Sequence, residues 1–207
     1  TIDLGDNAII IENCDYSDVG SVLTGDSLSS TVGILADDTN SDLTLNGTEV
    51  SGYATGVSKE NGVLFMIGDA EIAGTDYGVY AEDTYVYALV AHVDGGATGT
   101  GLHVVDSPDA WVYPMDASGA IGMYVENTPF RWDGGVSDAT TALSVVDATG
   151  TVENLTWSAS TTQMNAGNNA HITSIGNTLD ASKLVVASSA VIDEANLMSI
   201  DSTHLGA

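Results

Sequence analysis

The chain is predicted to be all-β, a single parallel β-helix of about nine coils, and three observations carry that expectation. A short apolar motif recurs as AIIIEN (Ala8 to Asn13), GILADD (Gly33 to Asp38), GVSKEN (Gly56 to Asn61), GVYAED (Gly78 to Asp83), GLHVVD (Gly101 to Asp106), GMYVEN (Gly122 to Asn127), ALSVVD (Ala142 to Asp147), QMNAGN (Gln163 to Asn168) and KLVVAS (Lys183 to Ser188). Successive starts lie 20 to 25 residues apart, and a near-constant period of that length marks a solenoid. Apolar residues alternate with others inside the copies, which is the period of a strand. Each copy closes on a polar residue, in the column Asn13, Asp38, Asn61, Asp83, Asp106, Asn127, Asp147, Asn168 and Ser188. These side chains bond their own backbone in tight turns, so the column reads as a corner.

The elements follow in order along each coil. The first strand places Ile34 and Ala36, Val79 and Ala81, Leu102 and Val104, Met123 and Val125, Leu143 and Val145, and Leu184 and Val186 toward the core. After the corner, a second alternating segment supplies Leu43 and Leu45, then Val63, Phe65 and Ile67, then Tyr85, Tyr87 and Leu89. It continues with Ala110 and Val112, Ala170 and Ile172, and Ala190 and Ile192. A third, shorter piece closes the coil at Val50, Ile72, Val93, Val136, Leu179 and Ile200. Each strand then pairs with its equivalent one coil later at ~4.8 Å, giving a rod of roughly 40 Å. The repeat runs through residues 1–207 without a linker, which predicts one domain. Only Asp193 to Met198 has a short helical pattern. Lys59 falls on an inward position, so either the strand bulges there or the ammonium meets a carboxylate such as Glu60 or Glu82.

The pattern resembles the right-handed parallel β-helix proteins of the pectate-lyase-like superfamily over the whole chain. That resemblance implies a right-handed coil and leaves function open among lyases, hydrolases, adhesins and non-catalytic surface proteins. The hydrolase-branch pattern that combines paired Asp, His-Gly and Arg-x-Lys is not present. Acidity, repetitive strands and a single Cys also resemble archaeal surface-layer and tubular-sheath proteins, which implies a coat-forming role.

Charge narrows the partners. With 29 acidic residues against 3 Lys and Arg, the net charge is -26, and no basic stripe exists to displace counterions from nucleic acid. An acidic membrane is disfavoured for the same reason, and no apolar run approaches the ~20 residues needed to span a bilayer. The expected setting is extracellular, at a cell surface: either the surroundings are rich in salt or divalent cations, or the charge keeps a secreted protein soluble and protease-resistant. With no leader visible at Thr1, the chain reads as a mature form or a fragment. Cys14 has no internal partner and is either a free thiol or a link to another chain.

Candidate chemistry is sparse. Tyr80, His103 and Tyr124 occupy the outward position on consecutive copies, as a platform for a sugar ring, a subunit contact or a stiffening ladder. Arg131, the only Arg, either grips a carboxylate or neutralises Asp133 or Glu126. His103, Ser107 and Asp109 lie close in sequence without a nucleophile elbow, and Asp37 and Asp38 form a pair whose second member belongs to the corner. His92, His103, His171 and His204 lack metal spacing, no EF-hand loop occurs, and Gly95 to Gly99 lacks the Asp of a calcium repeat. No cofactor is expected beyond diffuse Ca2+ or other cations. Asn46 and Asn154 head glycosylation triplets.

Neither end carries a convincing polar cap, so copies can add coil upon coil as rings or open filaments. The leading expectation is therefore an extracellular, non-enzymatic structural protein that self-assembles into a surface layer, sheath or filament, with Cys14 as a possible lock. The alternatives are an extracellular protein that binds or cleaves polysaccharide through Tyr80, Tyr124, Trp111, Trp132 and Arg131, or a piece of a longer adhesin. Cell-surface glycans are the partners those alternatives imply.

Overall fold

A computed structural model describes residues 7–25, 31–37, 41–158 and 161–195. Asp38, Leu197, Met198, Ile200 and His204 lie outside the described residues. The described residues wind as a parallel β-solenoid whose coils have three faces, with every strand hydrogen-bonded in parallel to its equivalent in a neighbouring coil. The first face carries the motif strands, from Asn7–Ile11 through Val32–Ala36 and Thr100–Val105 to Leu184–Val186. The second face runs from Tyr16–Val19 through Ala110–Val112 to Val191–Ala195. The third runs from Val22–Thr24 to Thr156–Trp157. In the middle of the rod single strands bend through more than one face, as Val63–Glu82 does.

The core is a set of side-chain columns. Ile34, Ala36, Val79, Ala81, Leu102, Val104, Met123, Val125, Leu143 and Val145 are all fully buried, as the first-face alternation predicts. In the ninth coil Leu184 is only half-buried and Val186 is exposed, because no described coil packs over them. The second face departs from expectation in coils 3 and 4. There Leu64, Met66, Val86 and Ala88 point inward at 0% exposure, while Val63, Phe65, Ile67, Tyr85, Tyr87 and Leu89 face outward. Both alternating sets in VLFMI and YVYAL are apolar, so period alone cannot choose the phase. Pairing with Leu43 and Leu45 chooses it, and a one-residue slip turns every side chain over. Val136 is likewise outward, with Ser137 inward beside Ala117.

The corner is built by left-handed backbone. Asn13, Asn61, Asp83, Asp106, Asn127 and Asp147 all have φ between 48° and 61°, a conformation that Asn and Asp tolerate better than other side chains. In coil 8 the left-handed residue is Asn169 (φ 49°), not Asn168. Four residues, Gly167 to Ala170, separate the two strands there against two in the preceding coil, closed by Ala170 N–H donating to Gly167 O. The same insertion recurs in coil 9, where Ala190 bonds Ala187 O and Ser189, not Ser188, accepts from Asn169 N–H. Beside the corner runs a buried hydroxyl ladder that the repeat did not advertise: Thr84 N–H donates to Ser107 Oγ and Ser107 N–H to Thr128 Oγ1. Each hydroxyl donates to a carbonyl two residues back, on Glu82, Val105 and Glu126.

Lys59 stays in register between Ala36 and Ala81, with no bulge, and is fully buried. Its ammonium donates to the carbonyls of Glu60 and Asn61 and toward Ser41 Oγ, so at Glu60 it meets backbone oxygen. Asp193 to Ala195 belong to a strand, and a single 3-10 turn occupies Ala181–Lys183. Asp18 points inward in the first coil, receiving bonds from Ser21 and Thr48. Burial alone would raise its carboxyl pKa, but those bonds outweigh it and hold the value below the ordinary range.

A second left-handed column sits between the second and third faces, at Gly20, Gly47, Gly68, Gly134, Asn154 and Gly176. Val90 fills the same place in coil 4 with φ 60°, where a β-branched side chain is strained. Since Val90 is 42% exposed, little burial offsets that strain. Val90→Asn is expected to stabilise the fold by about 1 kcal/mol, and an unchanged denaturation midpoint would contradict the strain. Ser107→Ala strips the buried Thr84 N–H of its acceptor and is expected to cost about 1–3 kcal/mol in the same measurement.

Candidate functional site

Parallel in-register stacking sets outward side chains about one ring thickness apart, which makes neighbouring aromatic residues stack on one another. On the first face Tyr80, His103 and Tyr124 do so, with ring centroids 5.3 and 4.5 Å apart and planes within 25°. Tyr77 packs edge-on against Tyr80 and His103. The phenols donate to Glu82 and Glu126, each at 2.7 Å. Burial and the bonded carboxylate push the Tyr124 phenol up to about 12, and raise Tyr80 in the same way. His103 is covered on both ring faces, and Tyr80 and Tyr124 each have one face against it.

The second face presents a wider surface. Val63, Phe65 and Ile67 lie beside Tyr85, Tyr87 and Leu89, then beside Asp109, Trp111 and Tyr113. Of these nine outward positions, eight are apolar or aromatic. Tyr85, Leu89, Trp111 and Tyr113 are 36% to 50% exposed, with Val90 at the rim. Phe65 and Tyr87 stack at 5.1 Å and 16°, so both rings stand upright, whereas Trp111 is turned 70° from Tyr87. Arg131 follows Trp111 in the same column. Its guanidinium lies 3.1 Å from Asp133 and 3.2 Å from Glu153. It therefore neutralises neighbours, with Glu153 taking the part assigned to Glu126. Trp132 is fully buried and belongs to the core, which removes it from any glycan-contacting set.

The third face carries a groove of about 570 Å³ along outward positions that include Glu49, Glu71, Asp94, Asp116 and Asp138. His92, 3.3 Å from Asp116, is its one basic lining residue. Such a groove attracts cations and repels an acidic polysaccharide. Among the described residues no group of three or more His, Cys, Asp or Glu is placed to hold a metal ion.

The remaining candidates disperse. Ser107 sits buried in the hydroxyl ladder while His103 lies in the aromatic stack, so they form no triad. His171 bonds Asp193 at 2.8 Å, Asp37 is exposed, and the Asp94 carboxylate accepts from Gly96 N–H. Cys14 is exposed at the first corner. Asn154 is exposed and donates to Asp133, whereas Thr48 of the Asn46 triplet is buried against Asp18. No helix among the described residues is long and apolar enough to cross a membrane. The sequence signals that went unread were the Asp-Thr, Asp-Ser and Asn-Thr pairs after the motif, and the excess of aromatics in coils 3 to 5.

His103 generates a pH expectation. Burial lowers its pKa below 6.5, while Glu126 and Glu82 pull only partly the other way, and Nδ1 has no partner. The unfolded chain therefore binds the proton first, so stability is full above the ordinary value and falls as pH drops through it. His103→Phe is expected to flatten that part of the stability profile between about pH 7 and 5. Compared with known proteins, the chain matches no family model, no curated protein and no solved structure.

Proposed function

We propose that the chain is a structural protein of the cell exterior, a β-helix in the manner of the pectate-lyase-like superfamily, that self-assembles into a coat, sheath or filament. The observation that carries this reading is the second face of coils 3 to 5, where eight of nine outward positions are apolar or aromatic and Asp109 is the one acid, on a chain whose net charge is -26. Exposed apolar patches of that kind are interaction sites. The strong acidity suits a salt-rich exterior, and exposed Cys14 suits a covalent link between copies.

A second reading, glycan binding, keeps one supporting observation: Trp111 is 43% exposed, turned away from the stack and next to Arg131. It is weakened by the upright rings of Phe65 and Tyr87 and by the stack of Tyr80, His103 and Tyr124, because a pyranose needs a free ring face.

Electron microscopy of the purified protein, with and without reductant, tests the proposal. Ordered tubes, sheets or filaments are expected, loosened by reductant and by Cys14→Ser. Dispersed particles under every condition would sink the coat reading.

A further inference from the structure

We infer that Asp18 and Glu194 bar copies of this chain from stacking coil upon coil, end to end. The inference concerns only how the ends of the rod meet, and it holds whether or not a coat forms. One inward column of the second face can be followed from coil to coil through its strand pairing. It begins at Asp18, runs through Leu45, Met66, Trp132 and Val152, and reaches Glu194 by way of Ser174. From Leu45 to Val152 every rung is apolar and fully buried. The column is dry in the middle and acidic at its first and last described rungs.

Stacking a second copy in the same register continues every column across the junction. Leu184 and Val186 then land on Ile9 and Ile11, apolar on apolar, which favours the contact. In the column of Asp18 the same step sets one carboxylate about 4.8 Å from another. Neither can help the other. Asp18, 7% exposed, already accepts from Ser21 N–H, Ser21 Oγ and Thr48 Oγ1 of its own chain, and these bonds keep it charged. Glu194 as a carboxylate can only accept as well. Lys183, the base near that end, precedes the first-face strand and acts on Asp180.

Two carboxylates brought together out of water repel and both lose hydration, and a cost of that kind outweighs the gain from covering a few aliphatic groups. Inward-pointing charge is one way in which strand proteins blunt an edge that otherwise recruits another chain. The ends look bare in the sequence because Ile9, Ile10 and Ile11 open the repeat, and Val191 and Ile192 close it. Strand pairing is what shows an acid in the core column at each end.

Electron microscopy of rod lengths, with sedimentation velocity, tests this on the whole chain and on Glu194→Leu, Glu194→Lys and Asp193→Lys. Asp193 is the neighbouring outward acid, so its variant repeats the charge change outside the column. Wild type and Asp193→Lys are expected as rods of a single length, roughly 40 Å, dispersed or side by side. Glu194→Leu is expected to give rods at multiples of that length, and Glu194→Lys more of them, because the new ammonium faces Asp18. In both variants the end-to-end dissociation constant is expected to fall about 10-fold or more. Two substitutions at an exposed position, each checked by circular dichroism, protect the test against one that misfolds. Wild-type rods at multiples of one length overturn the inference. So do folded Glu194→Leu and Glu194→Lys rods that both stay single, or Asp193→Lys rods that lengthen equally. The coat proposal fails separately: dispersed rods of one length remove the coat and leave the end block standing.

Discussion

In-register parallel stacking is the constraint on which everything else in this molecule depends. Each side chain has its own equivalent from the next coil as nearest neighbour, about 4.8 Å away. Apolar columns gain from this at once, which is why Leu43, Leu64 and Val86 are completely buried. Charged columns suffer from it, since identical charges in line repel. The chain relieves the problem with amides: Asn127 donates to Asp106, Asn169 to Asp147 and Asn154 to Asp133. An acid next to an amide is a hydrogen bond, whereas an acid next to an acid is a cost.

The same constraint accounts for the surface chemistry. Rings placed one above another must stack, and stacked rings hide their faces. The aromatic residues that looked like a sugar platform are therefore mostly ridges, with Trp111 the exception at 70°. Because acids line the third face and flank the stack on the first, the second face, with Asp109 as its one acid among nine positions, stands apart through what it leaves out. Lys59 shows the converse inside the core, where carbonyls of the turning backbone receive a charge that a column of apolar neighbours cannot.

Much of this was legible before the fold was known. The repeat spacing, the first-face columns and most of the corner follow directly from alternation and from the habits of Asn and Asp. The second face was not, for a physical reason. VLFMI and YVYAL are apolar at every position, so alternation carries no phase, and the register comes from the coils on either side. Reading those runs as core concealed the residues that form the candidate site. A shift of one residue in coils 8 and 9 also escaped, because Gly167, Asn168 and Asn169 all suit a turn and only strand pairing shows which one is left-handed. Thr84, Ser107 and Thr128 went unread because a small hydroxyl residue after a corner is as common in exposed turns as in buried ladders.

The third face shows one more property of the rod. Among the described residues its strands end at Trp157, and in coil 8 the corresponding stretch holds Asn177, Leu179 and the short turn at Ala181–Lys183. There the wall is a loop instead of a strand, held by Asn177 to Val152 O and Leu155 N–H and by Gln163 to Thr178 O and Asp180 N–H. The described part of the rod therefore changes its third wall along the axis, from ladder-paired strands in the middle to a loop held by side chains near Lys183. In kinetic terms, a wall held by a few side-chain bonds can open without breaking a strand ladder, so local opening of this coil need not unwind its neighbours.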